Sequence, residues 1–349
     1  MYSTFALDTQ VIKNDLCTGC GACQGMCPYW SSENGRTFYY FDCERISGRC
    51  QSFCPAMPFD RKDLLEKFFD KSSITEEIGP FKALYLTRSA DPKDRDGAQH
   101  GGTVTALLKL ALSEGLIDAA VLNKNGEDLT PEGYLAVSAK DIEDCKKSSY
   151  KQAPTLGVLN KALKENKYKK LAVVGTPCKC AAVYKMKSKP VPDNDNNADN
   201  IGLVIGLFCG WALDWDGITE LASKYADIKD IAHMDIPPSK YHSLVITLVD
   251  GKQISVNLDE VNPLVRNACK ACVDFTSEFS DISVGGARSA DGWDTDKGWN
   301  QLIVRSELGE KLIALAKEKG ILEFKELPDG ALDKIKKASM GKKNKATGK

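Results

Sequence analysis

Thirteen cysteines are the residues of this 349-residue chain best suited to redox or metal chemistry, and they are unevenly spread. Cys17, Cys20, Cys23 and Cys27 follow one another at intervals of three, three and four residues, and Pro28 comes next. A loop of that pitch, carrying Gly19 and Gly21, lets three thiolates reach three irons of one iron–sulfur cube while backbone N–H groups point at the sulfides. The fourth thiolate, followed by proline, turns away to serve a second cube. Cys43, Cys50 and Cys54 come next, and Cys50 and Cys54-Pro55 repeat the spacing of Cys23 and Cys27-Pro28. Two facing cubes require such an internal repeat. On that logic one cluster takes Cys17, Cys20, Cys23 and Cys54, and the other takes Cys27, Cys50 and Cys43. Two cubes need eight ligands and this segment has seven cysteines, with Glu44 and Ser47 where a strict repeat would have two more. The eighth ligand could be Asp42, Ser47, a cysteine from elsewhere, or nothing, which would leave a three-iron cluster.

Four further cysteines lie far downstream. Cys178 and Cys209 each end an apolar run at a turn, Val173-Val174-Gly175-Thr176-Pro177 and Val204-Ile205-Gly206-Leu207-Phe208, and Cys269 and Cys272 form a C-x-x-C pair. Together they could close a third cube, but the residues alone leave a zinc site and a two-thiol redox pair open. Cys180 reads as a spare thiol. The chain reads as cytosolic, and a reducing compartment argues against disulfides for so many cysteines. Exposed thiolate clusters also point to an organism with little exposure to oxygen.

Composition narrows the class. Apolar residues make up 42% of the chain and the formal net charge is -1, so no global field favours nucleic acid or an anionic membrane. No apolar stretch of membrane-spanning length occurs, and the N-terminus lacks a secretory pattern. The expected location is the cytoplasm, with any membrane association made through partners.

The elements that must position these thiols are legible in outline. Residues 1–75 form a small α+β module resembling a bacterial ferredoxin, with a short strand after the turn at Gly35 and an amphipathic helix beginning near Asp60. From residue 80 the pattern becomes α/β, a mixed sheet with helices. Strands are expected at 82–88, 116–122, 170–175, 201–208, 242–249, 253–258, 281–286 and 301–305, and helices at 155–164, 214–225 and 308–319. A helix also opens after His100-Gly101-Gly102-Thr103-Val104-Thr105, a turn whose free N–H groups could hold a phosphate. Residues 80–200 and 201–333 are read as two parts of one site-bearing domain. Residues 186–200 read as a polar, disordered insertion, 289–300 as a loop over a site, and 334–349 as a disordered basic tail.

The runs His100-Gly101-Gly102-Thr103-Val104-Thr105, Ser149-Tyr150-Lys151, Gly175-Thr176-Pro177-Cys178, Phe208-Cys209-Gly210 and Cys269-Lys270-Ala271-Cys272 together resemble the family of coenzyme F420 hydrogenase/dehydrogenase beta subunits over about residues 80–320. The resemblance implies a flavin-binding α/β domain holding FAD and one [4Fe-4S] cluster, preceded here by the two-cluster ferredoxin-like module. It implies an oxidoreductase that moves a hydride between coenzyme F420, as diffusible substrate, and FAD, and single electrons between FAD and the clusters. By the same resemblance Cys178, Cys209, Cys269 and Cys272 hold the flavin-proximal cluster. His100, Gly101, Gly102, Thr103 and Thr105 hold the FAD pyrophosphate, near Ser149, Tyr150, Lys151, Gly175 and Thr176. His100 stands where the family often has serine. No catalytic acid–base pair is identified. Implied partners are electron-transfer subunits of a hydrogenase, a formate dehydrogenase, a heterodisulfide reductase or a membrane complex. Two alternatives keep the fold: a relay subunit that docks only proteins, and a reductase using NAD(P)H or another organic substrate.

Overall fold

A computed structural model describes residues 3–126, 129–147, 149–191, 196–237, 242–287 and 298–348. The first strands, β1 (Trp30–Glu33) and β2 (Arg36–Tyr39), form an antiparallel hairpin whose turn residues Asn34 and Gly35 both have positive φ. That pair is the chemistry a two-residue hairpin turn demands. A short ladder of β3 (Ile74–Thr75) and β4 (Gly79–Pro80) follows.

The frame of the molecule is an eight-stranded mixed sheet. In chain order its strands are β5 (Ala83–Ser89), β6 (Ala119–Asn125), β7 (Pro131–Ala136), β8 (Leu171–Gly175), β9 (Ile201–Leu207), β13 (Ile282–Gly286), β14 (Asn300–Val304) and β15 (Leu322–Lys325). Across the sheet they run β15-β5-β14-β13-β9-β8-β6-β7. The neighbours β6, β8, β9 and β13 are parallel, and the remaining pairings are antiparallel. Apolar runs such as Leu171-Ala172-Val173 suit parallel strands covered on both faces. Val121, Val173 and Val204 point into one core, with helices Thr155–Glu165 and Pro177–Lys187. Leu122, Ala172, Leu203 and Ile205 point into the other, with helices Thr103–Ser113 and Glu307–Glu318. This alternation is the two-residue period of a strand. A separate antiparallel sheet, β10 (Ile231–Asp235), β11 (Ser243–Leu248) and β12 (Gln253–Asn257), packs with helix Trp215–Ser223 in its own core.

The cysteine-rich N-terminal segment is built into the first of these cores. Phe53, Leu64, Leu65 and Phe69 share it with Tyr184 and Phe279. The loop of Cys20 lies along helix Thr155–Glu165: Leu156 donates its N–H to Cys20 O at 3.0 Å, and Asn160 Nδ2 donates to Ala22 O at 3.0 Å and Gln24 O at 2.6 Å. Gly21 has φ +81°, and a Cβ there would stand 2.5 Å from Pro154 O. Only glycine allows this approach.

Several expectations change. Residues 334–347, expected to be disordered, belong to a helix, Ala331–Thr347. Its charge density hid a row four residues apart, Ala331, Ile335 and Ser339, which is buried. Residues 192–195 of the expected insertion lie outside the described residues, but its flanks are ordered: Asn196 is buried and Asn197 Nδ2 donates to Leu163 O at 2.9 Å. Of the loop expected at 289–300, residues 289–297 also lie outside the described residues. The strand expected at 116–122 begins at Ala119, because Leu116 still donates its N–H to Ala111 O in the cap of the preceding helix. Strands β7, β10 and β15 were not anticipated.

Candidate functional site

The parallel strands deliver the chemistry to one edge of the sheet. Cys178 follows the end of β8 and Cys209 the end of β9, where sheets of this kind gather their ligands. Helix Asn267–Lys270 brings Cys269 and Cys272 to the same place. Ala212 donates its N–H to Cys269 Sγ at 3.2 Å, and Thr176 Oγ1 lies 3.3 Å from Cys178 Sγ. Burial pushes the Cys209 thiol up, Lys342 of the helix Ala331–Thr347 opposes the shift, and the neighbouring Cys269, Cys178 and Cys272 add to it. The sheet edge therefore brings together all four cysteines named for the third cluster.

The N-terminal thiols gather in one place: Cys17, Cys23, Cys27 and Cys54 pack against the apolar cluster that contains Cys50. Burial pushes Cys23 well above its ordinary pKa, and the neighbouring Cys20, Cys17, Cys54 and Cys50 add to the shift. Burial pushes Cys20 up to about 12 and Cys54 up to about 11. Cys43 donates its N–H to Thr4 Oγ1 at 3.1 Å, and the adjacent Ser3 has its Oγ 3.2 Å from Cys50 Sγ, so one helix turn gathers both. A charge at Cys178 also acts on Cys20, which ties the sheet-edge group to the first N-terminal group. Cys180 is fully buried and directs its Sγ to Gly175 O at 3.3 Å.

Among the described residues no three Cys, His, Asp or Glu side chains stand close enough to hold a metal ion. The donor set nevertheless fits iron–sulfur cubes, which spread their thiolates around a much larger core than a single ion. Cations support this fit. Lys179 is 1% exposed, and its ammonium donates to the neutral Asn123 Oδ1 at 3.2 Å. Burial lowers its pKa, and charges at Cys178, Cys20, Cys180 and Cys209 would oppose that shift. Lys185 is buried too and donates to Cys54 O at 2.5 Å. A buried ammonium needs an anion nearby, and a cluster with four thiolates would supply one.

The residues named for flavin fall in three places along the edge. Gly102 has φ +70° and caps helix Thr103–Ser113. A Cβ on Gly102 would meet Asp94 O at 2.5 Å, and one on Gly101 would meet Asn300 Oδ1 at 2.8 Å. The two glycines thus serve close backbone packing as well as any ligand. Thr103 Oγ1 lies 3.0 Å from Thr87 Oγ1, Thr105 sits in the first helical turn, and the His100 ring packs over Gly286. Ser149, Tyr150 and Lys151 line a cavity of about 530 Å³ together with Lys146, Lys147, Lys229 and His233. Gly175 and Thr176 sit apart from that cavity, beside Cys178. Tyr150 joins two of these places. Its hydroxyl donates to Asp235 Oδ1 at 3.0 Å and accepts from Gln99 Nε2 at 3.1 Å and from the Ile236 N–H at 2.8 Å. Burial pushes this phenol well above its ordinary pKa.

Residues 84–160 match the N-terminal part, and residues 168–330 the C-terminal part, of the coenzyme F420 hydrogenase/dehydrogenase beta subunit. The chain belongs to this family. It is accordingly an oxidoreductase of the beta-subunit type, and both matched stretches contribute strands to the one large sheet. An uncharacterized protein of Methanocaldococcus jannaschii is 34% identical, over 93% of this chain and 92% of that one. An F(420)H(2) dehydrogenase subunit of Methanosarcina mazei is 30% identical, over 94% and 89%. A chain of the F420-reducing [NiFe] hydrogenase complex from Methanosarcina barkeri superposes with a TM-score of 0.71 at 24% identity, over 78% of this chain and 92% of that one, and so shares the fold.

In this beta subunit several residues that hold the site together escaped the sequence reading. Gln99 and Asp235 fix Tyr150, and Arg266 Nη2 ties the two cysteine regions by donating to Cys17 O at 2.8 Å and Gly35 O at 3.1 Å. Lys179, flanked by two cysteines in sequence, was the most legible of them. Arg266 and Lys342 act on loops far away in sequence and leave no local pattern. Among the described residues no helix is long and apolar enough to cross a membrane.

Proposed function

We propose that this protein takes electrons from reduced coenzyme F420 at a flavin held on the sheet edge and passes them singly through three iron–sulfur groups to a partner protein. The single observation that carries the reading is the arrangement of the cysteines. Cys178 and Cys209 follow strands at the sheet edge, Cys269 Sγ accepts from the loop of Cys209, and in the N-terminal segment Cys17, Cys23, Cys27, Cys50 and Cys54 pack in one apolar cluster while the Cys20 loop lies along helix Thr155–Glu165. Bound FAD supplies exchange between a two-electron hydride carrier and one-electron centres.

The chain's own residues position and charge-balance. The Gly101-Gly102 turn and the first-turn amides of helix Thr103–Ser113 would hold the pyrophosphate. Ser149, Tyr150 and Lys151 shape the adjoining cavity, whose volume of about 530 Å³ suits part of a dinucleotide or its substrate. Lys179 and Lys185 balance cluster charge in the interior. The partner belongs to the class named in the relatives, a dehydrogenase or hydrogenase complex.

The test is anaerobic. Protein reconstituted with iron, sulfide and FAD is mixed separately with reduced F420, NADH and NADPH, and flavin and cluster absorbance are followed. Rapid bleaching by reduced F420 alone is expected. Bleaching by a nicotinamide alone would replace the substrate, and bleaching by none of them with cofactors bound would overturn the enzymatic reading in favour of a relay.

A further inference from the structure

The C-terminal helix Ala331–Thr347 carries one side chain into the sheet-edge cysteine group. Lys342 Nζ donates to Cys209 O at 2.8 Å and to Asp274 O at 2.9 Å. Cys209 lies on the loop after β9, and Asp274 lies two residues beyond Cys272, so one ammonium ties together the two loops that bear three of the four thiols. The helix is held in place independently of that contact. Ile335 is buried against Ile78 and Ile303, Ser339 Oγ donates to Glu77 O at 2.5 Å, Lys336 pairs with Glu77 at 3.3 Å, and Lys343 pairs with Glu278 at 2.7 Å. Burial works against the Lys342 ammonium, and Cys209, then Cys272, Asp274 and Cys269, favour it enough to raise its pKa.

We propose that Lys342 is a positioning residue that clamps the Cys209 and Cys272 loops and, as a fixed positive charge, raises the reduction potential of the cluster those loops hold. The proposal rests on the reading that Cys178, Cys209, Cys269 and Cys272 bind an iron–sulfur cluster. One-electron reduction adds one negative charge to such a cluster, so a neighbouring cation favours the reduced form. The docked tail thereby sets how readily this centre takes an electron.

The experiment is a redox titration of the full chain followed by electron paramagnetic resonance. The relevant signal is the one that disappears in a Cys269→Ala, Cys272→Ala double variant. In Lys342→Gln the ratio of reduced to oxidised cluster at a fixed poise is expected to fall about tenfold, which for one electron is about 59 mV. Lys342→Arg should restore the wild-type ratio, and Lys343→Met, which loses the contacts to Glu278 and to Glu76 O but touches neither cysteine loop, should leave it unchanged. Loss of this site's iron in Lys342→Gln with retention in Lys342→Arg would support the clamp.

Failure takes distinguishable forms. An unchanged midpoint in Lys342→Gln with the signal present would overturn this proposal and leave the cluster reading standing. An equal shift in Lys343→Met, or iron loss in both Lys342 variants, would also overturn it. A wild-type protein with no signal dependent on Cys269 and Cys272 would overturn the cluster reading and the proposal with it.

Discussion

At the scale of single residues, buried polar groups hold the frame around the cysteines. Arg305 is 1% exposed and donates to Ile78 O at 2.6 Å, Pro80 O at 2.6 Å and Thr276 O at 2.9 Å. Burial lowers its pKa to about 10, so it stays charged at neutral pH. Replacing it would strand those carbonyls, each costing about 1–3 kcal/mol. Arg305→Met is therefore expected to lose at least about 3 kcal/mol, read from the urea midpoint. Tyr150 is the corresponding residue for the cavity. Tyr150→Phe removes the hydroxyl shared by Gln99, Asp235 and Ile236. Its expected outcome is a chain that folds, with a loss of about 1–2 kcal/mol, and that retains less FAD on gel filtration at unchanged iron content.

At the scale of elements, the turn before helix Thr103–Ser113 makes the sharpest prediction. Gly102→Ala would force a Cβ into the left-handed region and against Asp94 O, a backbone penalty of about 1–2 kcal/mol before the clash is counted. Flavin occupancy should fall in that variant while the iron content of the N-terminal segment is preserved, since Cys17, Cys20, Cys23 and Cys54 are held by other elements. Strands of the large sheet were legible because β8 and β9 are apolar runs of strand length ended by turn residues. The N-terminal cysteines stood out because they sit at fixed local spacing. Other features were set by distant contacts. β10 has its register fixed by β11, and the buried row of Ala331, Ile335 and Ser339 is interrupted by lysines whose partners, Glu77 and Glu278, lie far away in sequence. Tyr150 was read as lying near the FAD pyrophosphate, but Asp235, which orients it, comes from a strand the sequence did not reveal.

At the scale of the whole molecule, the N-terminal segment and the large sheet share one core, so the cysteine groups are held in fixed order. Phe53 and Phe69 pack with Tyr184, and Arg61 Nη2 bridges Asp274 at 3.1 Å and Glu278 at 3.0 Å, close in sequence to Cys272. A rigid junction keeps the distance between neighbouring groups constant, as single-electron passage requires. On the proposed path the middle group would be indispensable: electrons entering at the sheet edge would pass a cluster held by Cys17, Cys20, Cys23 and Cys54 before one held by Cys27, Cys43 and Cys50. The most direct measurement is stopped-flow mixing of reduced F420 with wild-type protein and with a Cys17→Ala, Cys20→Ala variant, both FAD-loaded, following flavin bleaching and the reduction of an external one-electron protein acceptor. The account predicts flavin bleaching at the wild-type rate in the variant, with acceptor reduction falling at least about a hundredfold, as for a barrier raised by about 3 kcal/mol. Acceptor reduction at the wild-type rate in that variant would contradict the serial path.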